Sequence, residues 1–237
     1  MAVEGFPDTS WTAVYEARER HSEAARQALA RLVADYAAPI VAFVRRFGVP
    51  ADDADDVAHT FIMHFFLEGI PAGNADPGHG RLRSYLCGAL RHFLLNRQAC
   101  KDASIRRPPL PVVSLEEIRR SSGAIPVSDN ADTPEQALNR QWAREVLARA
   151  VSLTRRRLET DREGQWPVFE RLALGGADAP SYADVARALG ITESQVRYRL
   201  HAARLVFQEA LRDVVAETVA SPADVDDELR DLFEALS

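Results

Sequence analysis

Several familiar kinds of chemistry have no foothold in this chain. Its two cysteines, Cys87 and Cys100, lie within an otherwise helical pattern and share no metal-ligand spacing. A disulfide framework and a thiolate metal centre are therefore unexpected, and both read as buried or partly buried thiols. No apolar run is long enough to span a bilayer, and the opening MAVEGFPDTSW has neither the basic nor the apolar region of a secretion signal. That pattern predicts a cytoplasmic protein with no membrane partner. There is no phosphate-cradling glycine loop and no nucleophile elbow. His59 and His64 are five positions apart, the wrong interval for a shared helical face, so no metal site is expected between them. The carboxylates sit at helix starts or towards the C-terminus. Together these absences point away from an enzyme: no catalytic residues, metal or cofactor are expected.

What the chain does have is apolar residues in helical register and an uneven distribution of charge. A length of 237 residues suits one large or two small domains, and 46% apolar residues suffice for real cores. The net charge of −6 taken as a sum opposes a nucleic-acid partner, but its placement matters more. Between 81 and 107 the basic residues Arg81, Arg83, Arg91, Arg97, Lys101, Arg106 and Arg107 face only Asp102, a local balance of +6. Between 213 and 237 eight acidic residues face only Arg230, a local balance of −7.

Residues 9–47 recur in apolar character at three- and four-residue steps (Trp11, Val14, Ala24, Ala28, Leu32, Tyr36, Ile40, Phe43, Val44), which predicts two or three helices, kinked or restarted at Pro39 and stopped by Gly48 and Pro50. Asp52 and Asp53 then read as caps of a helix with the stripe Ala54, Val57, Ala58, Phe61, Ile62, Phe65 and Phe66, its first turn strongly acidic. Acidic residues there also complement the helix dipole. After a Pro- and Gly-rich loop at 69–80, a helix over 81–101 carries Leu82, Tyr85, Leu86, Ala89, Leu90, Phe93 and Leu94 between its basic residues. Interleaved cations and rings suit single-stranded or melting nucleic acid, although Phe93 reads better as core. Pro108, Pro109, Pro111, Gly123 and Pro126 mark a linker, after which Thr133, Pro134 and Glu135 open a helix continued by Leu138, Trp142, Val146, Ala150 and Leu153. Trp166, Phe169 and Leu172 belong to the next one.

The most informative stretch is SYADVARALGITESQVRYRLHAARLVF at 181–207. Ser181 can cap a helix that buries Val185, Ala186 and Leu189; Gly190 supplies the turn, and Ile191 plugs it. Thr192 caps a second helix with Val196, Leu200 and Ala203 inward and Gln195, Arg197, Tyr198, His201 and Arg204 outward. This is the spacing of a helix-turn-helix, whose second helix reads the major groove. An ordinary antiparallel helix pair would more often alternate Glu and Lys on its outer face. Gln, Arg and Ser at a helix start can instead bond base edges or phosphates.

The order of these parts resembles the extracytoplasmic-function class of bacterial RNA polymerase sigma factors over nearly the whole chain. ADDADDVAHTFIMHFF resembles the helix that docks on the polymerase clamp, which would make Asp55, Asp56, His59, Thr60 and Phe61 polymerase-binding. DPGHGRLRSYLCGALRHFLLNRQ resembles the minus-ten-reading and melting helix, which implies DNA contacts at Arg81, Arg83, Tyr85, Arg91, His92, Asn96, Arg97 and Lys101. The segment 181–204 is similar to the minus-thirty-five reader, implying contacts at Thr192, Ser194, Gln195, Arg197, Tyr198, His201 and Arg204. VASPADVDDELRDLFEAL resembles an acidic C-terminal extension of one subgroup. Leu82 and Tyr85 stand where the family often has Phe and Trp, His92 where it often has Asn, and Ala99 and Cys100 where it is commonly basic. The resemblance implies an all-α fold of two helical domains, 9–107 and 133–219, joined by a flexible linker at 108–132 and followed by the extension at 220–237. It also implies core RNA polymerase and promoter DNA as partners, with room for an anti-sigma protein or other regulator. The competing expectation is a free-standing helix-turn-helix regulator binding an operator as a dimer. In the extension Val225, Leu229, Leu232 and Phe233 recur at helical spacing with Asp226, Asp227, Glu228 and Asp231 around them. This predicts a short amphipathic helix that packs either on its own domain or on the basic surface.

Overall fold

Helical periodicity is realised throughout the computed structural model, which describes residues 23–67, 82–102, 132–160, 164–219 and 221–237. Among the described residues the chain is all-α, with no strand. In chain order the helices are α1 (Glu23–Arg46), α2 (Ala51–Ile62), α3 (Leu82–Asp102), α4 (Pro134–Glu159), α5 (Gln165–Ala173), α6 (Tyr182–Leu189), α7 (Glu193–Ala216) and α8 (Val225–Leu236). The Pro- and Gly-rich loop at 69–80, nearly all of the expected linker, and Trp11 and Val14 lie outside the described residues.

Compactness divides the helices into two units: the described residues up to Glu145 together with Ala216–Ser237, and Val146–Val215. The sequence placed the division in the linker and grouped everything from 133 to 219 together. Instead, the first turns of α4 and the C-terminal residues belong with the N-terminal helices, so the boundary falls inside α4 and at the end of α7. The cause is local. Thr133 and Gln136 form a reciprocal capping box, with Gln136 N–H to Thr133 Oγ1 at 3.1 Å and Thr133 N–H to Gln136 Oε1 at 2.8 Å. The helix that follows buries Leu138, Trp142 and Ala143 within the first unit.

In that unit α1 is a single helix over 23–46 with Pro39 inside it, so the helix does not restart there. Proline forgoes one backbone bond, but Tyr36, Ile40, Phe43 and Val44 on either side are buried and outweigh it. Gly48, at φ 103°, ends the run as expected. Pro50 precedes α2 without a side-chain cap; Asp52 and Asp53, expected as caps, sit in the first turn and complement the dipole. The buried stripe of α2 (Ala54, Val57, Ala58, Phe61, Ile62) packs on α1, then continues through a π-helical turn, Met63–Leu67, that carries buried Phe65. From α3, Leu82, Leu86, Leu90 and Leu94 close the core. Phe93 packs edge-on against Phe61 at 5.5 Å, and Tyr85 lies 5.8 Å from Phe65, so both rings line the interior side of α3.

The second unit is built around Leu158, Val168, Phe169, Val185, Ala186, Val196, Leu200 and Ala203, with Trp166, Leu172, Leu189, Ile191, Val206 and Phe207 packed against them. Every inward position expected of α6 and α7 is in that set.

Candidate nucleic-acid interface

The turn between α6 and α7 sets the direction in which α7 leaves the core, and each of its parts has a local cause. Ser181 Oγ accepts from the Asp184 amide at 3.1 Å and donates to Asp184 Oδ2 at 2.6 Å. That hydroxyl and the Arg187 guanidinium, 2.9 Å from Asp184, hold the Asp184 carboxyl below its ordinary pKa. Gly190 ends α6 in the left-handed region, at φ 65° and ψ 32°. The Ile191 amide reaches back to the Ala186 carbonyl at 3.1 Å, a closure that needs a left-handed residue between them. Thr192 then caps α7: Gln195 N–H donates to Thr192 Oγ1 at 3.2 Å, and Thr192 N–H to Gln195 Oε1 at 2.9 Å.

With Val196, Leu200 and Ala203 inward, the opposite face of α7 is open. Thr192, Ser194, Gln195, Arg197, Tyr198, His201 and Arg204 are all exposed, Tyr198 at 64%. Arg197 is steadied by Glu193 at 3.6 Å and by the Tyr182 ring, whose centroid is 5.7 Å from its guanidinium. Gln195 has a structural duty that the sequence reading did not assign, since its side-chain oxygen completes the capping box. The result is a short, polar, partly cationic surface at a helix N-terminus, able to donate hydrogen bonds to phosphate oxygens or base edges.

The residues expected to meet polymerase lie on α2. Asp55, Asp56 and His59 are exposed and Thr60 is half-buried, its hydroxyl donating to the Asp56 carbonyl at 2.8 Å. Asp55 also pairs with Arg45 at 3.4 Å. Phe61 differs from expectation: at 3% exposed and packed on Phe65 and Phe93, it belongs to the core and presents no docking surface.

The expected DNA contacts of α3 separate into groups. Arg81 lies outside the described residues, as does the side chain of Lys101. Arg97 is half-buried, and Asn96 hydrogen-bonds the His92 ring at 3.1 Å. Arg91 forms an ion pair with Glu135 of α4. Arg83 is only 5% exposed and is held by two carboxylates of α8, Glu228 Oε2 at 3.1 Å and Asp231 Oδ2 at 3.5 Å, and by the neutral carboxamide oxygen of Asn139 in α4 at 2.8 Å. Its guanidinium lies 4.1 Å from the centre of the Trp142 ring. Arg83 and Arg91 therefore do not form the open cationic face that the sequence predicted.

Of the two placements expected for α8, on its own domain or on the basic surface, the second is found, but the face it buries differs from the expected stripe. Within α8 the buried face is Val225, Glu228 and Leu232, whereas Phe233, placed in the apolar stripe, is 56% exposed. Glu228, expected among the solvated acids, is 1% exposed. Its spacing, three after Val225 and four before Leu232, is that of an inward position, and a carboxylate in such a register calls for a cation. No protein-family model matches the chain, and no curated protein matches it either.

Proposed function

We propose that this protein is a sigma factor: a dissociable subunit that binds core RNA polymerase through the acidic face of α2 and selects promoters through α7, without chemistry of its own. In this reading α6 and α7 are a helix-turn-helix whose second helix enters the major groove of a minus-thirty-five element. The first unit then supplies polymerase docking and minus-ten contacts. The observation that carries the proposal is the exposed face of α7, where Arg197, Tyr198, His201 and Arg204 stand clear of a fully packed inward face. A helix that served only to pack would not array such side chains at its N-terminal end. The acidic face of α2, with Asp55, Asp56 and His59 exposed, favours a polymerase subunit over a free-standing regulator, which has no use for it. Core RNA polymerase and promoter DNA are the proposed partners. The test is co-elution with core polymerase in gel filtration. A stoichiometric complex is expected; a chain that stays apart from polymerase yet shifts a palindromic duplex would favour the operator-binding regulator.

A further inference from the structure

We infer that α8 is an intramolecular latch, occupying through Glu228 and Asp231 the arginine of α3 that nucleic-acid phosphate would otherwise take. The inference rests on the reading of α3 as a nucleic-acid-contacting helix. Arg83 is held by two carboxylates, one carboxamide oxygen and an aromatic face, all from the C-terminal helix or the first turns of α4. Both carboxylates approach Nη2 of Arg83 while Asn139 takes Nη1, and these are the N–H donors that a phosphodiester's anionic oxygens would need, so carboxylate and phosphate compete for them. The neighbouring cation, Arg91, is occupied in the same way by Glu135, and Arg140, at the foot of the cluster, donates to the Ala235 carbonyl near the end of α8. The α4 and α8 segments thus cover the cationic side of α3 together.

The latch is also built to open. Burying a guanidinium and a carboxylate sacrifices the hydration of both, and only complete hydrogen bonding restores it. Here restoration is incomplete: among the described residues the buried Nε of Arg83 has no hydrogen-bond partner. A cavity of about 270 Å³ also lies alongside, lined by Arg83, Asn139, Arg140, Asp231 and Glu234 among others, so the contact is not close-packed. Of the apolar side chains of α8, Phe233 remains 56% exposed, Leu229 is half-buried, and Val225 and Leu232 are buried. The helix thus combines a specific ionic contact with a small apolar anchor.

The test measures binding of a fluorescein-labelled single-stranded oligodeoxynucleotide by anisotropy, without polymerase, for four proteins. These are the full chain, the Glu228→Gln/Asp231→Asn double variant, a chain ending at 220, and that truncated chain with Arg83→Gln. A latch closed roughly nine-tenths of the time would make the second and third proteins bind on the order of tenfold more tightly than the first. Releasing one phosphate-binding arginine should steepen the logarithmic salt dependence by roughly 0.7 for a single strand. Arg83→Gln should abolish both gains. In the unaltered full chain, adding the oligonucleotide should raise hydrogen exchange of the amides from 225 to 236. Unchanged affinity in the folded double variant would overturn the latch, and so would a gain that survives Arg83→Gln, because the acids would then act only through net charge. Failure of all four proteins to bind would overturn it as well. A tenfold gain together with no binding to core polymerase would leave the latch standing and reject the sigma-factor reading alone.

Discussion

Replacing Gly190 tests the geometry that aims α7, because at this position backbone conformation can be separated from packing. The residue sits at φ 65°, ψ 32°, and a Cβ built on it would meet nothing within 4 Å. Substitution therefore introduces no steric clash, and its whole cost is that of holding an L side chain in the left-handed region. For alanine that is roughly 1–2 kcal/mol, partly offset by about 0.4–1 kcal/mol from a less flexible unfolded chain, leaving a net loss of about 1 kcal/mol. Asparagine tolerates this region and should lose less than alanine, while valine, strongly disfavoured there, should lose more than about 2 kcal/mol. The assay is urea unfolding followed by the fluorine resonance of Trp166 in protein labelled with 5-fluorotryptophan, since that ring packs against the core of the second unit and reports its unfolding directly. The order asparagine, alanine, valine is the expected result. A neutral or stabilising Gly190→Ala, or a valine better tolerated than asparagine, would mean that the residue is not left-handed and that α7 leaves the turn in another direction.

Three further outcomes are expected. Asp55→Lys/Asp56→Lys should eliminate binding to core polymerase while changing stability by less than about 1 kcal/mol, since both residues are exposed and the Arg45 pair is a surface one; undiminished co-elution, or loss of the fold, would refute the docking assignment. Arg197→Ala should weaken promoter binding by about 1–3 kcal/mol and relax preference at a single base pair, whereas equal weakening on every sequence would make Arg197 a phosphate contact. Desolvation, with Glu135 adding to it, pushes the half-buried Cys87 thiol up to about 12, so it stays protonated at pH 8. In a Cys100→Ser background iodoacetamide should label the unfolded chain and spare the native one. Because the folded value lies above the unfolded one, the thiol's contribution to stability is complete below about pH 9 and is lost as pH rises towards 12. Rapid alkylation of native protein at pH 8 would contradict the burial.

The parts of the fold that sequence periodicity reveals are those governed by neighbours three and four residues away. The inward sets of α6 and α7, the Ser181 and Thr192 caps and the left-handed Gly190 are all local, and each is found where the spacing places it. What periodicity misses depends on partners far along the chain. Whether Arg83 is a free cation or a buried one is decided by Glu228, 145 positions later. The face α8 buries keeps Val225 and Leu232 of the expected apolar stripe but takes in Glu228, the partner of Arg83, and leaves Phe233 out. Phe61 is where periodicity placed it, in the buried stripe, and it is the docking role implied by the resemblance that its burial removes. The boundary inside α4 was hidden because a proline- and glycine-rich stretch reads as a domain junction whatever the next helix packs against.

The central claim is that this chain confers promoter selection on RNA polymerase, and run-off transcription tests it most directly. Purified bacterial core polymerase is given a library of genomic fragments with and without the protein, and the transcripts are mapped. The account predicts discrete start sites that appear only when the protein is present, share two spaced upstream elements, and disappear with Asp55→Lys/Asp56→Lys. Transcripts that are the same with and without the folded protein would contradict it.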